Sequence, residues 1–73
     1  MMTQPIARAV RERAGITLTA MARQAQLSRT TIYALEKGEK MGRITAFAYC
    51  RVINQTLHTS YAPGDLGIMV TQE

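Results

Sequence analysis

Thr30, Tyr33, Ala34 and Lys37 stand at i, i+3, i+4 and i+7, with Arg29 just before them. At about 100° per residue this spacing collects the four on one side of a helix, with Arg29 at its N-terminal edge. The set combines a guanidinium fork, a hydroxyl, a phenol, an ammonium and a small apolar residue. That chemistry suits non-covalent recognition of a partner bearing anions and hydrogen-bonding edges. Bond-making chemistry has no comparable basis. His58 stands alone, without Cys or acidic neighbours at ligand spacing. Cys50 is the single cysteine, so neither an intramolecular disulfide nor a Cys-rich metal site is available. Cys50 reads as a small core residue, and the methionines as gap-fillers or termini. No Gly-rich phosphate loop, paired catalytic carboxylates or Ser/His/Asp set stands out. The expectation is a protein that is not an enzyme and takes no cofactor and no metal.

The elements that must position this face are helices. Pro5 suits a first helical turn. Ile6, Val10 and Ala14, with Ala7 beside them, mark one side of a first helix over about 5–14. Gly15 can end it in a left-handed conformation, with Ile16 packing back. Thr17 is a candidate N-cap for a second helix over 18–25, in which Leu18, Met21, Ala22 and Ala25 follow at i, i+3, i+4 and i+7. Ser28 is the next N-cap, opening a third helix from Arg29 to Lys37 that Gly38 closes. There Ile32 and Leu35 face inward, and Glu36 falls at the border of the core. A fourth helix is expected over 43–54 with Ile44, Phe47, Ala48, Cys50 and Ile53 as its apolar residues. Beyond it, Leu57, Thr59 and Tyr61 alternate as in a short strand. Pro63-Gly64 breaks the chain, and 63–70 has room for a short fifth helix.

The 73 residues make one small domain, rich in Ala and aliphatic residues, without Trp and with one Phe. A core of this size is marginal unless something supports it, and pairing is a common remedy. All nine Lys and Arg fall within residues 1–51, against three acidic residues, a balance of +6; residues 52–73 carry −2. The first two-thirds is therefore the part expected to meet a polyanion. No N-terminal secretory signal and no apolar run of membrane-spanning length is seen, which points to the cytoplasm.

The unit from Thr17 to Lys37 is thus helix, tight link, helix, each capped, with an open polar face on the second. The B-DNA major groove admits one α-helix, whose N-terminal side chains reach base edges while the preceding helix crosses the backbone. The stretch Arg11-Glu12-Arg13-Ala14-Gly15-Ile16-Thr17 through Glu36-Lys37-Gly38 resembles the Xre/Cro-repressor type of helix-turn-helix. The matching features are Ala22, Leu27, Ser28-Arg29-Thr30-Thr31-Ile32 and Leu35-Glu36-Lys37-Gly38, and the resemblance covers roughly residues 6–55. Two positions depart from the family pattern. Gln26 stands where Gly is usual, at a link position favouring positive φ, at a cost on the order of 1 kcal/mol. Leu18 stands where Gln often begins the second helix, which removes a common polar contact to DNA.

The resemblance implies an all-α, lambda-repressor-like domain of four to five helices, with a short strand or tail at its C-terminal end. It divides the chain into a DNA-binding part, 1–55, and an extension, 56–73, for dimerisation or partner binding. It places Arg29, Thr30, Tyr33 and Ala34 at base edges, Arg29 being suited to guanine O6 and N7. Thr17, Thr19, Thr31, Lys37, Lys40 and Arg43 are candidates for phosphate contacts, which fix position without reading sequence. Arg11 and Glu36 match a recurring internal salt bridge. One recognition helix reads few bases, so a two-fold dimer on a palindromic operator is expected, its surface formed by the fourth helix and the tail, with Leu57, Thr59 and Tyr61 as the candidate interface residues, as a paired strand or a packed loop. The resulting expectation is a homodimeric transcriptional repressor acting on its own operon. A phage or plasmid repressor, the antitoxin of a toxin–antitoxin pair and a restriction–modification controller all fit. The reading from a different class is a protein-interaction module without specific DNA binding, for which Tyr33 is the best feature.

Overall fold

The computed structural model describes residues 6–71. Its elements are α1 (Ile6–Arg13), α2 (Leu18–Ala25), α3 (Arg29–Glu36), α4 (Arg43–Leu57) and one 3₁₀ turn at Pro63–Leu66. Pro5, expected in the first turn of α1, lies outside the described residues.

The three short helices stop where the chain enters a left-handed residue. At Gly15, φ is +76°, and the amides of Gly15 and Ile16 donate back to the carbonyls of Glu12 and Arg11 at 3.0 and 3.2 Å. This pair of bonds is the Schellman closure, which satisfies carbonyls that would otherwise have no partner. The α2–α3 link uses the same device without glycine. Gln26 takes φ 59°, ψ 42°, and Leu27 N–H donates to Ala22 O at 2.9 Å. The turn geometry therefore holds despite the Cβ, at the cost of a strained backbone. At the other ends, the Thr17 and Ser28 hydroxyls each accept an amide hydrogen bond at 3.0 Å, from Ala20 and Thr31. Each satisfies one of the free N–H groups of a helix start.

Met21, Ile32, Leu35, Ile53 and Leu66 are fully buried at the centre. α2 packs against both α3 and α4, and α1 against α3 and the 3₁₀ turn. Ala22 and Ala25 on α2 are small and buried, which lets its neighbours approach closely. Leu66 and Ile68 put the C-terminal segment into this core. The segment is also tied by a parallel bridge between Met41 and Val70, with hydrogen bonds of 2.8 Å from Met41 N to Met69 O and from Thr71 N to Met41 O.

Three expectations are corrected. Ile44 and Phe47 are not core residues: they are 87% and 51% exposed, and α4 instead buries Ala46, Tyr49, Cys50, Val52 and Ile53. Ile6 is half-exposed and lies over Gly67, where an added Cβ would come within 3.7 Å of it. Leu57, Thr59 and Tyr61 do not form a strand. Leu57 is the last residue of α4, and His58 turns the chain with φ 57°. The Asn54 side chain then holds the loop, accepting from Thr59 Oγ1 and Tyr61 N at 2.8 Å and donating to Tyr61 O at 3.1 Å. One side chain thus bonds both backbone groups of Tyr61 in place of a neighbouring strand. The segment is a packed loop.

Candidate nucleic-acid interface

α3 is two turns long, and its two sides differ sharply. Ile32, Leu35 and Glu36 are buried, whereas Arg29, Thr30 and Tyr33 are exposed. The spacing read from sequence therefore becomes one outward surface at the N-terminal end of a capped helix. Lys37, at the helix end, lies with Nζ 5.1 Å from the centroid of the Tyr33 ring. That is within cation–π range and gives the phenol a defined lean along the helix. Ala34 is half-buried at the edge of this surface. Thr19, Lys40 and Arg43 are exposed on the neighbouring α2, loop and start of α4.

Two of the hydroxyls singled out from sequence are already engaged. Thr17 Oγ1 holds the α2 N-terminus, and Thr31 Oγ1 sits 2.8 Å from Ser28 Oγ. A hydroxyl retains further donor or acceptor capacity after one bond, so both keep a possible outward contact.

Behind this surface the last residue of α3 is anchored by charge. Arg11 Nε donates to Glu36 Oε2 at 2.6 Å, and its Nη2 donates to Oε1 at 3.2 Å. Nη1 donates to Ile16 O at 2.9 Å. The Tyr49 hydroxyl completes the group, at 2.6 Å from Glu36 Oε2 and 3.1 Å from Ala7 O. All three side chains are buried, and no buried side-chain polar atom among the described residues lacks a partner. The hydrogen bond to Glu36 raises the Arg11 pKa further above its ordinary value, against the opposing effect of burial. Burial, then the Glu36 hydrogen bond and charge, push the Tyr49 phenol well above the usual tyrosine range. The network links α1, α3 and α4 through Arg11, Glu36 and Tyr49.

Sequence reasoning missed Tyr49. A usable signal was present, since Ala46, Tyr49, Cys50 and Ile53 stand at i, i+3, i+4 and i+7, but the phenol made that side look less apolar than the competing one.

A family model described as a helix-turn-helix domain matches residues 7–52, more than half of the chain. The chain belongs to the helix-turn-helix domain family. The matched span takes in α2, the Gln26 turn and α3 as the helix-turn-helix unit. It agrees with the Xre/Cro-type resemblance, and it marks the protein as a DNA-binding regulator of a kind that is typically non-enzymatic. No match was found to a curated protein or to a solved structure. No helix among the described residues is long and apolar enough to cross a membrane.

Proposed function

We propose that this helix-turn-helix protein is a sequence-specific repressor that binds a palindromic operator as a homodimer and controls its own operon in the cytoplasm. The observation that carries the reading is the outward set Arg29, Thr30 and Tyr33 at the capped N-terminal end of α3. In this reading α3 enters the major groove, and Arg29 grips a guanine through O6 and N7. Thr30, Tyr33 and Ala34 contact neighbouring base edges. Thr17, Thr19, Thr31, Lys37, Lys40 and Arg43 meet phosphates on either side. The +6 charge of residues 1–51 supports the assignment of this end to DNA.

Dimerisation places two recognition helices about 34 Å apart on one face of the duplex. Residues 56–73 serve as the dimerisation extension, with Leu57, Thr59 and Tyr61 at the interface. All three are half-buried and leave part of each side chain outward. Repression follows from occupying the promoter, and control comes from protein level or from competition at the DNA.

The test is a mobility shift on the DNA just upstream of the gene, at two salt concentrations, with scrambled DNA and Arg29→Ala as controls. The expected result is a dimer-sized shift on native DNA that weakens with salt and is lost in Arg29→Ala. Equal binding of native and scrambled DNA, with Arg29→Ala indifferent, refutes specific reading and favours a protein-interaction module.

A further inference from the structure

No residue of α1 belongs to the proposed DNA contacts, yet one of its cations shares a cleft with the recognition surface. Arg8 and Arg11 of α1, Leu18 at the start of α2, and Tyr33, Glu36 and Lys37 at the end of α3 line this cleft together. Arg11 and Glu36 are buried and hydrogen-bonded to each other, so their charges balance. Leu18 and the Tyr33 ring are its apolar part. Arg8 and Lys37 are the exposed charges among these lining residues, and both are positive. Arg8 Nε donates to Glu12 Oε2 at 3.1 Å, in a pair whose side chains are 58% and 53% exposed. A pair this open to water is weak, and the bond engages one of the five N–H groups of the guanidinium.

The place of the cleft selects its ligand. α3 rises about 12 Å from Arg29 to Lys37, and the major groove is about 12 Å wide. With Arg29 at a base edge, Lys37 therefore stands at the level of the sugar–phosphate wall, and Arg8 lies on the α1 side of the same cleft. A fork of N–H donors and an ammonium suit the oxygens of one phosphodiester, which an exposed carboxylate pair such as Arg8–Glu12 can give way to. We propose that Arg8 is a further backbone contact of the DNA complex, holding with Lys37 one phosphate over this cleft. α1 then docks on the duplex together with α2 and α3. The assignment rests on the proposed DNA reading of α3.

The test is the salt dependence of binding by the full chain, measured by fluorescence anisotropy on the DNA just upstream of the gene and on scrambled DNA. Arg8→Gln is expected to weaken both about tenfold at low salt, with the native preference kept. A homodimer carries two such contacts, so the slope of log K against log salt becomes shallower by about 2. Arg8→Lys restores most of the slope. Glu12→Gln, which removes the competing carboxylate, leaves binding equal or tighter. Arg51→Gln controls for net charge, because Arg51 lies on α4 and lines other clefts; its slope change is expected to be less than half that of Arg8→Gln. An unchanged slope for Arg8→Gln overturns the proposal, and if Arg29→Ala still abolishes native preference the DNA reading stands without it. Equal weakening by Glu12→Gln overturns it by showing that Arg8 acts through its pair within α1. An equal slope change for Arg51→Gln overturns it by showing a response to net charge alone. If native and scrambled DNA bind equally and Arg29→Ala is indifferent, specific reading fails, while a shallower slope for Arg8→Gln still supports the phosphate contact. Absence of binding to either DNA overturns both.

Discussion

Replacing Glu36 by Gln keeps the shape of the side chain and removes its charge. The structure shows what is lost. Arg11 is left 8% exposed with a guanidinium that cannot shed its proton. The Gln amide nitrogen must also face either Arg11 Nε, 2.6 Å from Oε2, or Arg11 Nη2, 3.2 Å from Oε1. Donor then meets donor at a buried position. Breaking a buried pair from one side costs about 3–5 kcal/mol. The lower end applies here, because Arg11 keeps its bond to Ile16 O and Tyr49 keeps Ala7 O. A domain of this size has only about 4–11 kcal/mol in all. With a urea slope near 1 kcal/mol/M, far-UV circular dichroism should show the midpoint falling by roughly 3 M, or a chain largely unfolded in buffer. The double variant Arg11→Met, Glu36→Leu removes both charges and should lie within about 1 kcal/mol of wild type, since apolar replacement of a buried pair is often neutral. A loss below about 1 kcal/mol for Glu36→Gln, or a double variant no better than the worse single one, would refute the claim that an uncompensated charge sets the cost.

Gln26→Gly removes a left-handed non-glycine residue (φ 59°); after the entropy of the added glycine is offset, a gain of about 0.5 kcal/mol and a Tm rise of roughly 2–4 °C are expected in a thermal melt. Leu66→Ala empties a fully buried position in the C-terminal segment and should cost about 2–4 kcal/mol by urea titration; a loss near zero would detach that segment from the folding unit. Burial, and secondarily the charge of Asp65, push the Cys50 thiol up to about 11 from 9.0. The unfolded chain therefore releases this proton first, so stability is held below about pH 9 and declines as pH rises towards 11. Melts at pH 8 and pH 10.5 should show a smaller decline for Cys50→Ala than for wild type.

Much of this protein was legible in the linear sequence because the signals were local. A capping hydroxyl, a glycine able to turn left-handed and a run of apolar residues act within one or two turns, so the starts of α2 and α3 and the end of α1 could be read directly. The polar face of α3 was legible for the same reason: Ile32 and Leu35 leave only one side for Thr30, Tyr33 and Lys37.

α4 shows where that reasoning stops. It carries two stripes at helical spacing, Ile44-Phe47-Ala48-Arg51 and Ala46-Tyr49-Cys50-Ile53. Periodicity alone accepts either, and the aliphatic and aromatic content of Ile44 and Phe47 favours the wrong one. Tertiary structure decides, because the second stripe places a phenol against Glu36 and Ala7 O and small residues against α2. The loop after α4 is similar. Leu57, Thr59 and Tyr61 alternate as a strand would, but a strand needs a neighbour for its backbone groups, and Asn54 reaches those of Tyr61 first. The sequence thus determined each helix that its own caps and spacing could specify. Which face of α4 turned inward, and what became of the segment after it, depended on partners distant in the chain, and only the folded core supplied them.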